Sequence, residues 1–259
     1  EIGHVFNNTV VTVNGGIIGI SDTNDAGYTV ISNDNTYSGA EYPYRGNVYG
    51  GGCGTDKYYS GSVPEGHTAN DGEGNTYNSL AVIVYGTTTV TIDGGHVVRN
   101  VYGAGAMGSV GKFEKNASNN AITFASGGKT TIAISGGTIG VDGTNGDGNV
   151  FGAARGDASS AQTDVALVKT TDVTISGDAT IVWGNVYGGG QIGCVGTFDE
   201  TDGKYVWSSG GLSKVTVSGG KIGPDNNDNP EIGNVFGAGK GKANTFKCEK
   251  AMVRETIVS

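Results

Sequence analysis

Apolar residues in this chain fall in short islands that alternate with polar positions and are separated by Gly, Asn, Asp, Ser and Thr. In residues 11–16, Val11 and Val13 alternate with polar neighbours before a Gly-Gly pair. Period-two alternation bounded by turn residues predicts a half-buried β-strand. Because no segment keeps an apolar period of 3.6 residues over a window of about 11 positions, no helix is predicted. The chain is therefore expected to be all-β.

Two short motifs recur along the chain in strict alternation. The first, called strand A, reads aliphatic-Thr-aliphatic-small-Gly-Gly, and with small variations it occupies 11–16, 90–95, 132–137, 173–178 and 215–220. The second, strand B, reads Asn, Val and an aromatic residue. The Asn positions of strand B are Asn47, Asn100, Asn149, Asn185 and Asn234, and the aromatic positions are Tyr49, Tyr102, Phe151, Tyr187 and Phe236. We interpret His4-Val5-Phe6 as a degenerate copy of B. Such self-similarity indicates a repeat architecture.

A third, looser strand is predicted before the later copies of strand A. Its apolar cores are residues 81–84, 121–124, 165–168 and 205–207, and each lies a near-constant distance before the next strand A. The segments between these elements vary in length, as loops do.

One strand A cannot bury its aliphatic face by itself, but copies stacked about 4.8 Å apart would form a continuous inner column. We therefore predict a parallel β-helix, or β-solenoid, that is right-handed and has about five coils with three short strands per coil. Residues 1–259 would form a single unit with an insertion loop at about 53–79. A β-propeller is the alternative, but its blades need four strands joined by hairpins.

Stacking of strand B predicts an Asn ladder and an aromatic ladder along the long axis. The Asn and the aromatic residue share one face, opposite Val, so the pattern leaves open which face is inside. Gly after each strand B is expected to supply a corner with positive φ. Both chain ends fall within a repeat, which suggests a section of a longer array, and open strand edges would favour end-to-end self-association.

Composition and charge exclude several classes. The 49 Gly among 259 residues do not recur at every third position, so a collagen helix is excluded. A net charge of −9 argues against a nucleic-acid partner, and without an 18-residue apolar run no membrane span is predicted. The three Cys residues are too few for a disulfide framework and are expected to be ordinary thiols.

Two Gly-rich motifs resemble repeat regions of large cell-surface proteins from Bacteroidetes and other gut-type bacteria. They are Ser135-Gly136-Gly137-Thr138-Ile139-Gly140 and Gly184-Asn185-Val186-Tyr187-Gly188. The closest matching stretches are 132–152, 173–190 and 215–239. This resemblance implies an exported, extracellular or surface-displayed bacterial protein of adhesin-like or fibre-like character. It brings no catalytic motif to these positions.

Carboxylates and amides cluster in the connections from strand A to strand B. Alternating oxygen side chains on a tight loop suit Ca²⁺, although none of these loops has the full EF-hand pattern and Asx turns at the corners of the solenoid are the favoured explanation. No cofactor is otherwise predicted. The calcium candidates are Asp22, Asp142, Asp147, Asp225 and Asp228.

Tyrosines concentrate in and before the insertion loop, where aromatic faces beside amides would suit a glycan or a cell-surface protein. This predicted ligand surface consists of Tyr42, Tyr44, Tyr58, Tyr59 and Tyr77. The alternative function is a carbohydrate-active β-helix enzyme, a polysaccharide lyase or glycoside hydrolase. Its nearest candidates are Asp157, Asp164 and Asp172 with Arg155 and Lys169, but they occupy unrelated parts of the repeat, and a structural, non-enzymatic role is favoured.

Overall fold

The computed structural model describes residues 3–19, 46–80, 82–118, 121–142, 147–160, 162, 164–201, 204–225, 230–244, 247–248 and 251–259. Within these ranges the chain contains strands and no helix, which confirms the all-β prediction. The strands are β1 (Thr9–Ile18), β2 (Val48–Tyr49), β3 (Lys57–Tyr58), β4 (Thr76–Tyr77), β5 (Thr88–Val97), β6 (Val101–Tyr102), β7 (Lys112–Lys115), β8 (Ile122–Ser126), β9 (Lys129–Ile139), β10 (Val150–Phe151), β11 (Leu167–Val168), β12 (Thr170–Ile175), β13 (Ile181–Val182), β14 (Val186–Tyr187), β15 (Cys194–Val195), β16 (Thr197–Thr201), β17 (Lys204–Ser209), β18 (Leu212–Val217), β19 (Lys221–Ile222), β20 (Val235–Phe236), β21 (Ala243–Asn244), β22 (Lys247–Cys248) and β23 (Glu255–Val258).

Copies of strand A pair side by side in a parallel sheet, called sheet A, in the order β1-β5-β9-β12-β18-β23. The first aliphatic position of every copy lies beside the same position of the next, so these residues form one column. That column is Val11, Val90, Ile132, Val173, Val215 and Val258. From Val90 to Val215 its members are fully buried. Like positions therefore bury each other, as the alternating pattern requires.

Strand A does not stop at its Gly-Gly pair. In β1, β5 and β9 the strand runs on through the glycines, and the pairing register shifts there. The backbones are close there, since a Cβ on Gly95 would lie 2.8 Å from the backbone of Gly15 in the neighbouring strand. In the later copies the strand is divided into two pieces, β12 with β13 and β18 with β19.

Copies of strand B form a second parallel sheet, sheet B, in the order β2-β6-β10-β14-β20. Its valines point toward sheet A and join the same apolar core, with Val101, Val150 and Val186 fully buried. The Asn and aromatic side chains lie on the opposite face. The core between the two sheets thus identifies Val as the inward residue.

The third ladder contains two of the four predicted segments, those at 81–84 and 165–168, and differs from the prediction at the other two. Val84 pairs in parallel with both Val5 and Val110, and β11 pairs in parallel with β15. The predicted segments 121–124 and 205–207 are wrong as ladder strands, because β8 pairs antiparallel with β7 and β17 with β16. Val110 and Val195 hold the ladder positions instead, and each is followed by an inserted hairpin. The return strand of each hairpin must end at the same place before strand A, which explains why the predicted segments lie a near-constant number of residues before strand A.

Two smaller expectations are also wrong. The backbone of Val5 bonds with Ile83 and Tyr85, so His4-Val5-Phe6 belongs to the third ladder and is no copy of strand B. Glycines after strand B do not supply a positive-φ corner, since the φ angle of Gly103 is not positive. A Cβ on Gly103 would instead overlap the carbonyl oxygen of Gly152 in the next copy. These glycines are needed because the backbones of neighbouring copies approach closely.

Candidate functional site

Asparagine side chains of strand B link each copy to the next through the backbone. The N–H of Asn100 donates to Oδ1 of Asn47 (3.0 Å), that of Asn149 to Asn100 (2.9 Å), and that of Asn185 to Asn149 (2.9 Å). The N–H of Asn234 donates to Oδ1 of Asn185 (2.8 Å). The three central asparagines are buried, where an unmet hydrogen bond is costly. Each Asn therefore fixes the register of its neighbour.

Aromatic rings two residues further on stack in a continuous column. The ring centroids of Tyr49 and Tyr102 are 4.9 Å apart, those of Tyr102 and Phe151 5.1 Å, and those of Phe151 and Tyr187 4.9 Å, with interplanar angles of 8–11°. Phe236 continues the column 5.0 Å from Tyr187. The spacing is that of the strands themselves, so the rings follow the pleat. Tyr102 and Phe151 are almost fully buried, whereas Phe236 is 42% exposed.

A buried ion pair borders the Asn column. Nε of Arg99 donates to Oδ1 of Asp147 at 3.0 Å, and Nδ2 of Asn100 donates to the same oxygen at 3.0 Å. Both charged side chains are almost fully buried. Asp147 is therefore neutralised by Arg99 within the chain, which makes it part of the scaffold beneath sheet B.

A column of inward hydroxyls was missed by the sequence reasoning. Thr88 Oγ1 donates to the carbonyl of Gly103 (2.5 Å), Thr130 to Gly152 (2.6 Å), and Thr171 to Gly188 (2.6 Å). Thr9 and Ser213 make the same bond to the glycine after their own strand B. Each bond ties the start of strand A to the end of strand B. The signal was present, since a Thr or Ser lies two residues before the first aliphatic residue of every strand A.

The predicted tyrosine surface is only partly exposed. Tyr42 and Tyr44 lie outside the described residues. Tyr58 and Tyr59 are half-buried on the insertion, whose strands β3 and β4 pair antiparallel. Tyr77 is buried, so its ring is not available to a ligand.

Tyr77 attaches the insertion to the side of the stack. Its hydroxyl donates to Oδ2 of Asp157 at 2.5 Å, and Nε2 of Gln162 donates to its backbone carbonyl at 2.6 Å. Nζ of Lys57 lies 4.5 Å from the ring centroid and 4.0 Å from Asp157. Burial raises the pKa of Asp157, but the hydrogen bonds from Tyr77 and Ser159 and the charge of Lys57 outweigh it, so the pKa lies below its usual range. Asp157 is therefore ionised at neutral pH.

Tyr59 lies in an acidic surface environment. Its ring meets His67 edge-on with centroids 5.5 Å apart, and Nδ1 of His67 is 2.8 Å from Asp71. Desolvation and the charges of Asp71 and Glu73 raise the pKa of Tyr59. The backbone N–H of Glu73, and then His67, lower the pKa of Asp71. This side of the insertion therefore carries negative charge at neutral pH.

The calcium candidates do not converge within the described part of the chain. Asp22 and Asp228 lie outside it, Asp147 pairs with Arg99, and Asp225 lies 2.7 Å from Nζ of Lys221. Asp142 is exposed. No group of three His, Cys, Asp or Glu side chains among the described residues is arranged to hold a metal ion.

The carboxylates considered for catalysis each contact a different partner. Asp157 is bound to Tyr77, Asp164 lies 3.5 Å from Lys115, and Asp172 lies 3.1 Å from Lys129. Arg155 is buried. Lys169 packs against Gly128 and Gly210, which lie just after the return strands of the two hairpins. A general acid would need a raised pKa, which Asp157 does not have.

Cys53 is exposed, Cys194 is buried in β15, and neither forms a disulfide. The side chain of Cys248 lies outside the described part. Among the described residues there is also no helix long and apolar enough to cross a membrane.

An open cleft of about 660 Å³ lies at the foot of the β7–β8 hairpin. It is bordered by the turns at residues 6–8 and 85–87 and by Lys112, Ser126 and Gly127. The rings of Phe6 and Tyr85 lie 5.7 Å apart, and Phe6 is 70% exposed. Sequence reasoning did not find this cleft, since its walls come from three distant segments.

Comparison with known proteins gives no relative from which a function could be inferred. No protein-family model matches the chain, and no curated protein or solved structure matches it either.

Proposed function

We propose that the chain is a right-handed β-solenoid of about five coils that serves as a rigid stalk, fibre section or adhesin, exported to a bacterial cell surface. The observation that carries the proposal is register: the same motif position pairs with itself from Val11 to Val258 in sheet A, and the rings of sheet B stack from Tyr49 to Phe236. A repeated column of this kind resists bending because every inner copy is bonded to a neighbour on each side.

Two further features support a mechanical role in place of catalysis. The Asn side chains and inner hydroxyls are used in bonds between elements, and the candidate carboxylates are held by separate partners. The resemblance of the Gly-rich motifs to bacterial surface repeats favours export. Loops and hairpins on the side of the stack would make the contacts with a glycan or cell-surface protein.

Surface display is tested by immunolabelling source cells with antibodies raised against the folded chain. The proposal predicts labelling of intact cells that is removed by brief external protease treatment. Labelling that appears only after the cells are permeabilised would contradict it. A crystal structure of the chain tests the hand and number of the coils.

A further inference from the structure

We propose that the cleft at the foot of the β7–β8 hairpin binds a short acidic oligosaccharide. This site is separate from the tyrosine surface of the insertion. It does not depend on the structural role of the stack.

The cleft exists because hairpins are inserted at some turns of the third ladder and not at others. On one side, β8 is covered by the second hairpin: Oγ of Ser208 donates to the carbonyl of Ile122 at 2.9 Å, and Phe124 shares an apolar cluster with Phe198. On the side of Phe6, residues 85–87 pass directly from Val84 to β5 without a hairpin. The described chain therefore leaves the foot of the first hairpin uncovered there.

Tyr85 and Asn8 at the cleft are held in place before any ligand arrives. The hydroxyl of Tyr85 is 2.9 Å from Nδ1 of His4, and the two rings meet edge-on with centroids 5.2 Å apart. Oδ1 of Asn8 accepts hydrogen bonds from both the backbone N–H (2.9 Å) and Oγ1 (3.0 Å) of Thr87. The amide NH₂ of Asn8 makes no hydrogen bond among the described residues, so it remains a donor. Preorganised groups lose less entropy on binding.

The chemistry of the lining selects the ligand class. Phe6 and Tyr85 offer aromatic faces to the C–H faces of a sugar ring, while Asn7, Asn8 and Ser126 offer amide and hydroxyl groups to its hydroxyls. Lys112 is exposed and makes no ion pair within the described part, which suits a carboxylate or sulfate. A volume of about 660 Å³ falls within the range of small-ligand sites.

The test uses the full chain on a printed array of uronic-acid and sulfated oligosaccharides beside their neutral counterparts. The wild type should retain acidic chains in preference to neutral ones. Phe6→Ala should weaken the apparent affinity roughly tenfold or more, as expected for loss of a central aromatic contact. Lys112→Gln should remove the preference for acidic chains.

Matched controls separate the cleft from other surfaces. Val10→Ala removes an exposed apolar side chain from the neighbouring strand β1, and Lys214→Gln removes an exposed charge on the outer face of sheet A; both should bind as the wild type does. Phe6 is exposed, so Phe6→Ala should melt as the wild type does. Absence of any acidic ligand, or unchanged binding by Phe6→Ala, overturns the proposal. A loss confined to Tyr59→Ala would move the site to the insertion and also overturn it.

Discussion

Sheet B and the third ladder are both built by parallel pairing of successive copies, but side chains fix the register of the two to different degrees. In sheet B every copy repeats Asn, Val and an aromatic residue. The side chain of Asn149 accepts a hydrogen bond from the backbone N–H of Asn185 in the next copy, and the ring of Phe151 stacks on that of Tyr187. In the third ladder, Val84 and Val110 are bonded mainly through the backbone. The whole three-residue motif is repeated where side chains must meet their own copies. The third ladder repeats a single Val among neighbours that differ from copy to copy, at Val5, Val84, Val110, Val168 and Val195.

The largest expected effect concerns the aromatic column. Phe151→Ala should lower the free energy of unfolding by about 3–5 kcal/mol, because it removes a buried ring stacked on both sides. Phe236→Ala is the matched control: its ring is 42% exposed and stacks on Tyr187 at the end of the described column, so the loss should be about 1 kcal/mol. Urea denaturation measures both. A loss at Phe151 no greater than the loss at Phe236 would contradict the stability assigned to a buried ring stacked on both sides.

The Asn column should give the next largest effect. Asn149→Ala leaves the buried N–H of Asn185 without its acceptor and should cost about 2–3 kcal/mol. Asn234→Ala should cost less, because the side chain of Asn234 only donates, to Asn185 and the carbonyl of Pro230, and accepts from no further copy among the described residues. The same denaturation experiment compares them. A greater loss for Asn234→Ala would contradict the role given to side-chain register.

The inner hydroxyls should matter less than the amides. Thr130→Val keeps the shape of the side chain but leaves the carbonyl of Gly152 without its hydroxyl donor, which should cost about 1–2 kcal/mol. Thr131→Val, at the next residue on the outer face of β9, should change stability by less than about 0.5 kcal/mol. If the two variants are equally stable, the hydroxyl column does not join the sheets.

The smallest effect is expected at the lateral contact of the insertion. The pKa of Asp157 is lowered in the folded chain, so its stabilisation is complete above the unfolded value near 3.9 and is lost as pH falls through the lower folded pKa. Asp157→Asn should cost under about 1 kcal/mol at neutral pH because the group is partly solvent-screened. Between pH 2 and pH 7, the melting temperature of Asp157→Asn should fall less on acidification than that of the wild type. An unchanged pH profile would show that this contact carries no stability.

Sequence reasoning succeeded where the repeat is carried by side chains. Strands A and B were predicted because the positions of Val90 and Val101 recur along the chain with the same neighbouring residues. The structure shows the parallel pairing of like copies that this recurrence predicts. It failed at two of the four segments predicted for the third ladder, where an alternating hairpin strand such as that at Ile122 looks like a stacked strand. Periodicity reports that one face is buried but does not report what covers it. The cleft at Phe6 was not predictable for a related reason, because it depends on which turns lack a hairpin.

Pulsed electron–electron double resonance between spin labels on the outer column of sheet A directly tests the central claim, which is that like positions of successive copies stack. Labels at Thr91 and Thr216 lie three strands apart and should be about 14 Å apart in backbone separation, while labels at Thr12 and Thr216 lie four strands apart and should give about 19 Å. The native Cys residues would be replaced by Ala beforehand. A constant increment of about 4.8 Å per strand supports stacking of like positions. Distances that do not increase with the number of intervening strands would contradict it.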